Sequence, residues 1–253
     1  MSAAILITAR LKSTRLPKKV IRPIAGRPMI CHMIDRLKLA EIPQQIILCT
    51  SALPEDDELT RIAHDESICC FRGDPDDVLA RLTGAAQQFD VDTVFSCTAD
   101  NPFVDAIHLD KLLEYHLAHR YDYTKTEGLP LGAFGYVLSR PAMQRACDLK
   151  VEKDTEIWGP LFTESGKFAC GIMQITDPEF CWPDLRLTVD TPEDFQLVTQ
   201  IFDELYEPGR VFSLKSILEL CRKDPSLPAI NAGVVQQAGK KFTLKPNVDE
   251  ARA

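Results

Sequence analysis

Short apolar runs alternate with helix-period segments along the first 120 residues. Ala3–Thr8 (AAILIT), Gln45–Ser51 (QIILCTS), Ser67–Phe71 (SICCF) and Thr93–Thr98 (TVFSCT) are brief and rich in β-branched residues. Such runs predict strands buried on both faces. Between them, Pro28–Leu39, Pro54–His64, Asp74–Gln88 and Asp105–His119 repeat apolar residues at helical spacing. Pro28 suits a first turn, the early acids of the second suit the helix dipole, and Asp-Pro-Asp-Asp suits an N-cap. This rhythm predicts an α/β protein with a mostly parallel sheet and helices on both faces. Ligands of such sheets sit outside the carboxyl ends of the strands, so the loops after Thr8 and Thr98 should face one crevice.

Past residue 120 the rhythm changes. Tyr121–Thr126, Gly135–Ser139, Phe168–Thr176 and Leu185–Val189 read as strands, some antiparallel. Pro141–Leu149 and Thr155–Ser165 read as short helices. Thr191–Tyr206 opens with Thr as N-cap and Pro in the first turn, and Phe212–Arg222 is a last amphipathic helix. The remainder is weakly patterned.

Composition narrows the function. The 253 residues are 45% hydrophobic and 26% charged with net charge −8, which disfavours a nucleic-acid binder. Charge is uneven, however. Residues 1–34 hold Arg10, Lys12, Arg15, Lys18, Lys19, Arg22 and Arg27 and no acid. A basic island in an acidic chain predicts a site for a small anion. The nine cysteines form no CxxC pair, and several sit within apolar runs, so neither a disulfide scaffold nor a zinc site is expected. No apolar run approaches the roughly 18 residues of a membrane span, and a reducing, cytoplasmic setting is expected.

The loop Ala9-Arg-Leu-Lys-Ser-Thr-Arg-Leu-Pro-Lys-Lys19 follows the first strand directly. It is neither a P-loop nor a GxGxxG turn. It still gathers guanidinium and ammonium groups, with turn amides, where a polyphosphate would meet a βα loop.

Its A-R-x-x-S-T-R-L-P-x-K, followed by I-x-G-R-P-M-I-x-H, resembles the opening of the sugar-acid cytidylyltransferases. These include CMP-ketodeoxyoctonate (CMP-Kdo) synthetase, acylneuraminate cytidylyltransferase and the spore-coat polysaccharide homologues. Phe71–Arg81 (FRGDPDDVLAR), Thr98-Ala-Asp-Asn-Pro102 and Thr188-Val-Asp-Thr-Pro-Glu-Asp194 resemble further family segments in the same order. The resemblance implies a Rossmann-like nucleotide-diphospho-sugar transferase fold over residues 1–206, with residues of about 120–180 forming a smaller mixed subdomain for the acceptor and dimerisation. Residues 207–253 would be a helical extension and tail. It implies a homodimer that transfers CMP from CTP to a small anionic sugar acceptor, with Mg²⁺ and release of pyrophosphate.

By the same resemblance, Ala9, Arg10, Leu11, Arg15, Lys19, Arg72, Thr98 and Asp100 would bind nucleotide. Asp100 and Asp190 would hold the metal, and Arg10 and Lys19 would act with them in catalysis. The departures fall on the acceptor side. Thr188 stands where CMP-Kdo synthetases often have Asp, and Tyr136 where the spore-coat type has Glu. Glu156-Ile-Trp-Gly-Pro160 lacks that type's His. Tyr136, Glu156 and Trp158 therefore point to an altered acceptor pocket.

Two other readings were weighed. A glycosyltransferase of the GT-A type would need a DxD-like motif near a strand end, whereas Asp90 and Asp92 precede a strand. A non-catalytic nucleotide-binding protein would bind CTP without releasing pyrophosphate. His108, His116 and His119 are expected on a solvated helix face, and Asp74, Asp76 and Asp77 at a helix cap.

Overall fold

Every residue of β1 (Ala3–Thr8) is buried, because it lies in the middle of the sheet between two parallel neighbours. The computed structural model describes residues 2–236 and 242–245. The hairpin of β2 (Pro23–Ile24) and β3 (Arg27–Pro28) precedes β4 (Gln45–Ser51), β5 (Cys69–Gly73), β6 (Thr93–Thr98), β7 (Tyr123–Glu127), β8 (Tyr136–Ser139) and β9 (Cys170–Gln174). The main sheet has seven strands in the order β5-β4-β1-β6-β8-β7-β9. The first four are parallel, β8 is antiparallel to both β6 and β7, and β9 is parallel to β7. The strands of the 120–180 region thus extend the same sheet.

Period-two alternation in β1 sorts the helices to two faces. Ile5 and Ile7 face α1 (Met29–Leu37), α2 (Asp57–Asp65) and α4 (Ala106–His119). Ala4 and Leu6 face α3 (Val78–Gln88), α5 (Arg140–Leu149) and α6 (Gly159–Thr163). A third cluster joins α7 (Pro192–Leu205) and α8 (Leu214–Lys223) to Ile24, Met29 and Phe103. Residues 212–230 therefore share a core with the rest of the fold. Residues 237–241 and 246–253 of the expected tail lie outside the described residues.

Two expectations need correction. The segment 185–189 is no strand. The Leu131 amide donates to Leu185 O and Leu131 O accepts from the Leu187 amide, around a single parallel bridge, Leu131 to Arg186. Gly132, at φ +99°, then turns the chain away, and a Cβ there would lie 2.5 Å from the Thr188 nitrogen. The ladder ends after one pair.

The histidines of α4 do not share a solvated face. His108 and His116 are buried and only His119 is exposed. Spacing of four through Leu112 puts 108 and 116 on the core side. His108 Nδ1 lies 2.7 Å from Asp105, and His116 Nδ1 lies 2.8 Å from Thr124 Oγ1. Burial pulls the His116 pKa from 6.5 down to about 4, against the charge of Asp122. The unfolded chain then binds a proton that the fold refuses. Stability should be complete above pH 6.5 and decline toward pH 4, by at most roughly 3 kcal/mol. Urea unfolding should show His116→Gln losing much of this slope, and an unchanged slope would contradict the assignment.

Candidate active site

The carboxyl ends of β1 and β6 are adjacent because Thr8 pairs with Thr98, so the loops that follow open side by side. The Ala99 amide donates to Thr8 O and turns the chain toward Asp100. Asp190 comes from far along the chain. The Val189 amide donates to Asp100 O at 2.8 Å, so one backbone bond sets the two aspartates next to each other. Lys18, in the left-handed region at φ 54°, breaks the basic loop into a short 3-10 turn starting at Lys19.

Lys19 Nζ donates to Asp100 Oδ2 at 2.6 Å and to Asp190 Oδ1 at 2.9 Å. Burial works against the Lys19 ammonium, but the two carboxylates outweigh it and hold its pKa above the ordinary lysine value. Asp190 also meets Arg15 NH2 at 3.2 Å and accepts from Arg186 NH2 at 2.8 Å. Burial would raise its pKa, yet these cations, Lys19 foremost, keep it below the usual carboxylate range. Thr98 Oγ1 donates to Asp100 Oδ1. The network sets Arg15, Lys19 and Arg186 against Asp100, Asp190 and Asp194, three cations to three anions.

A polar bracket underpins Asp190. Asp194, fully buried, accepts from Arg186 Nε at 2.8 Å, from the Asp190 amide at 2.9 Å and from Asn231 Nδ2 at 2.8 Å. It also closes a capping box with Thr191 at the start of α7. Burial disfavours its charge, but Arg186 and these donors hold its pKa low. Asp194→Ala should cost about 3–5 kcal/mol, because it removes the buried acceptor of Arg186 Nε, the Asp190 amide and Asn231 Nδ2, although Arg186 keeps Asp190. Denaturant unfolding checks this, and a cost below about 1 kcal/mol would contradict it.

The crevice over this centre is lined by Thr8, Ala9, Arg10, Lys12, Lys19, Val20, Val78, Arg81, Thr98, Ala99, Asp100, Glu156 and Trp158. Its interior, about 100 Å³, is smaller than a whole-ligand pocket of about 300 Å³ or more. Arg10 meets Glu156 across it at 3.3 Å and donates to Pro75 O at 2.9 Å. The nucleotide and acceptor candidates thus touch through one ion pair.

Some expected residues take other places. Arg72 is outside this lining: it donates to Ser51 O and Leu53 O and pairs with Asp57. The turn amides of Ala9 and Leu11 are already used, by Cys49 O and by Asp56 Oδ1 at 2.7 Å, and Leu11 packs in the core. Tyr136 is half-buried against Tyr123, Phe134 and Trp158, which puts it behind the crevice wall. Trp158 is buried and reaches the lining.

Sequence reasoning missed Arg81, Arg186 and Asp194. Arg81 is 2% exposed, and its Nε has no partner among the described residues. Its NH1 donates to Asp74 O, and burial lowers its pKa. The available signal was an arginine on the apolar face of the 74–88 helix, between Val78 and Leu82.

The donor set accommodates a hard divalent cation. Two carboxylates converge on one ammonium nitrogen, and no group of three or more His, Cys, Asp or Glu could hold a metal among the described residues. Such a pair suits a cation that takes its other oxygens from phosphate and water.

Among solved structures, a cytidylyltransferase from Leptospira borgpetersenii matches with TM-score 0.82 at 23% identity, covering 90% of this chain and 96% of that one. CMP:2-keto-3-deoxy-manno-octonic acid synthetase complexed with CTP matches with TM-score 0.61 at 16% identity, covering 81% and 99%. The fold is that of the Rossmann-like nucleotidyltransferases. A cytidylyltransferase family model matches residues 4–164, and the chain belongs to that family. The spore coat polysaccharide biosynthesis protein SpsF of Bacillus subtilis is 27% identical over 226 residues, 87% of this chain and 94% of the relative. A 3-deoxy-manno-octulosonate cytidylyltransferase of Brucella ovis is 34% identical over 111 residues, 42% of each chain. No helix among the described residues is long and apolar enough to cross a membrane.

Proposed function

We propose that this cytidylyltransferase moves CMP from CTP onto a hydroxyl of a small carboxylated sugar, with a divalent cation, Mg²⁺ first, held by Asp100 and Asp190. The observation that carries the reading is Lys19 Nζ bonded to both aspartates beneath a cationic crevice. The acceptor oxygen bonds to the α-phosphorus and gives up its proton, while the bond from α-phosphorus to the bridging oxygen breaks and pyrophosphate leaves. The cation, when bound, neutralises charge on the phosphates.

The chain's own groups do the rest. Lys19 and Arg15 carry positive charge to the developing phosphate oxygens, fixed in place by the aspartates. Arg10 and Lys12, at the crevice wall, would grip the leaving pyrophosphate, with Arg10 exchanging Glu156 for phosphate. Arg81 offers its unpaired Nε from below. Trp158 gives the acceptor side an aromatic wall, with Tyr136 packed behind it. The edge strand β9 leaves Ile172 exposed, and we assign that edge to a second copy of the chain.

The test is incubation with each nucleoside triphosphate, Mg²⁺ and a panel of sugar acids, following pyrophosphate. Release with CTP and a carboxylated acceptor is expected. Consumption of a CDP-sugar in place of CTP would overturn the reading.

A further inference from the structure

The basic N-terminal island serves two places. Arg10, Lys12, Arg15 and Lys19 belong to the crevice and its centre, but Arg27 lines a different cavity of about 400 Å³. This cavity lies between α1 and the connection from α7 to α8, and it shares no lining residue with the crevice. Arg36, Lys38 and Arg210 add further cations, and Phe202, Tyr206 and Phe212 supply aromatic walls.

Arg36 sets the cavity apart. It is 4% exposed and has no hydrogen bond or ion pair to any described residue. The other cations are engaged: Arg27 with Asp35 and Glu66, Lys38 with Glu66, and Arg210 with Glu207. The Arg36 guanidinium lies 5.0 Å from the Phe212 ring centre and 5.7 Å from that of Phe103. Ring faces attract its charge but offer no lone pair to its five N–H donors. The acid that acts on it is Asp105, which is committed to the His108 ring and amide. Burial lowers the Arg36 pKa to about 10, so the group is still charged at neutral pH. A buried charge without an anion is costly, and an apolar side chain of that size would be cheaper here.

We propose that this cavity is a second anion site, in which Arg36 takes the carboxylate or phosphate of a small organic anion. The apolar or aromatic body of the ligand lies against Phe202, Tyr206 and Phe212. Lys38 and Arg210 stand at the wall as secondary cations. The proposal does not depend on the reaction assigned to the crevice.

His32 provides a local reporter. It lines the cavity, its ring contacts Phe202 and Tyr206 at 4.6 and 5.3 Å, and its Nε2 lies 2.8 Å from Ile24 O. The full chain carrying Lys19→Met, which weakens anion binding in the crevice, is titrated with phenyl phosphate and separately with benzoate. The His32 ring protons are followed by NMR. Saturable movement with at least one probe is expected, and the tighter probe identifies the head group. Adding Arg36→Met should weaken that binding about tenfold or more, with thermal melting at or above the parent. Val211→Trp, at an exposed wall position, should fill the cavity and weaken binding with Arg36 intact. No His32 movement with either probe would overturn the proposal. So would unaltered affinity after Arg36→Met, or after Val211→Trp should the arginine variant not fold.

Discussion

Lys19→Ala should slow pyrophosphate release from CTP by about 10²–10³-fold, the usual cost of one preorganised donor at a reacting phosphate or carbonyl. Among the described residues the ammonium is the one cation bonded to both Asp100 and Asp190, so its loss removes charge from the centre of the crevice. The fold should survive. Asp190 keeps Arg15 and Arg186, and Asp100 keeps the Thr98 hydroxyl. Far-ultraviolet circular dichroism and melting should match the parent while turnover falls. Turnover within about threefold of the parent, with the fold intact, would remove Lys19 from the chemistry.

Asp100→Asn should lower turnover by about 10²-fold and raise the Mg²⁺ concentration for half-maximal rate about tenfold. The amide oxygen keeps an acceptor for Lys19 and its NH2 group turns donor toward the Thr98 hydroxyl, while the charge that holds a hard cation is lost. Asp190→Asn is a less clean test, because Arg15, Lys19 and Arg186 all depend on that carboxylate. Asp100→Asn combined with Lys19→Ala should cost far less than the product of the two single changes, since the pair works as one unit. An unchanged magnesium titration in Asp100→Asn would remove it as a metal ligand, and additive losses would separate it from Lys19.

The strands were legible where apolar runs were continuous. Ala3–Thr8, Gln45–Ser51 and Thr93–Thr98 have the same ends in sequence and structure, because central parallel strands are buried on both faces. Near the edge the pattern weakens: the run placed at 67–71 lies at Cys69–Gly73, where the strand is only half-buried. The 185–189 segment has strand-like residues, but Gly132 bends its bridge partner Leu131 away after one pair, which no local pattern records.

The candidate site was half legible. That β1 and β6 end in one crevice follows from the parallel topology, and this places the basic loop beside Asp100. Asp190 was placed by resemblance, as the end of a strand that does not form. What holds it is the Val189 bond to Asp100 O and the Asp194–Arg186 bracket. Arg72 and Arg81 share one motif, and the resemblance points to Arg72, whereas the apolar helix face points to Arg81. Structure separates them, because Arg72 points along the edge strand to Asp57 whereas Arg81 turns inward from α3.

In the proposed reaction Asp100, Asp190 and Lys19 form one centre for a metal-bound triphosphate. Crystals grown with CTP and Mn²⁺, measured for manganese anomalous scattering, test it most directly. The account predicts a peak in contact with both carboxylates and with triphosphate oxygens, with Lys19 on the phosphates. A triphosphate bound elsewhere, with Lys19 still holding Asp100 and Asp190 together, would contradict it.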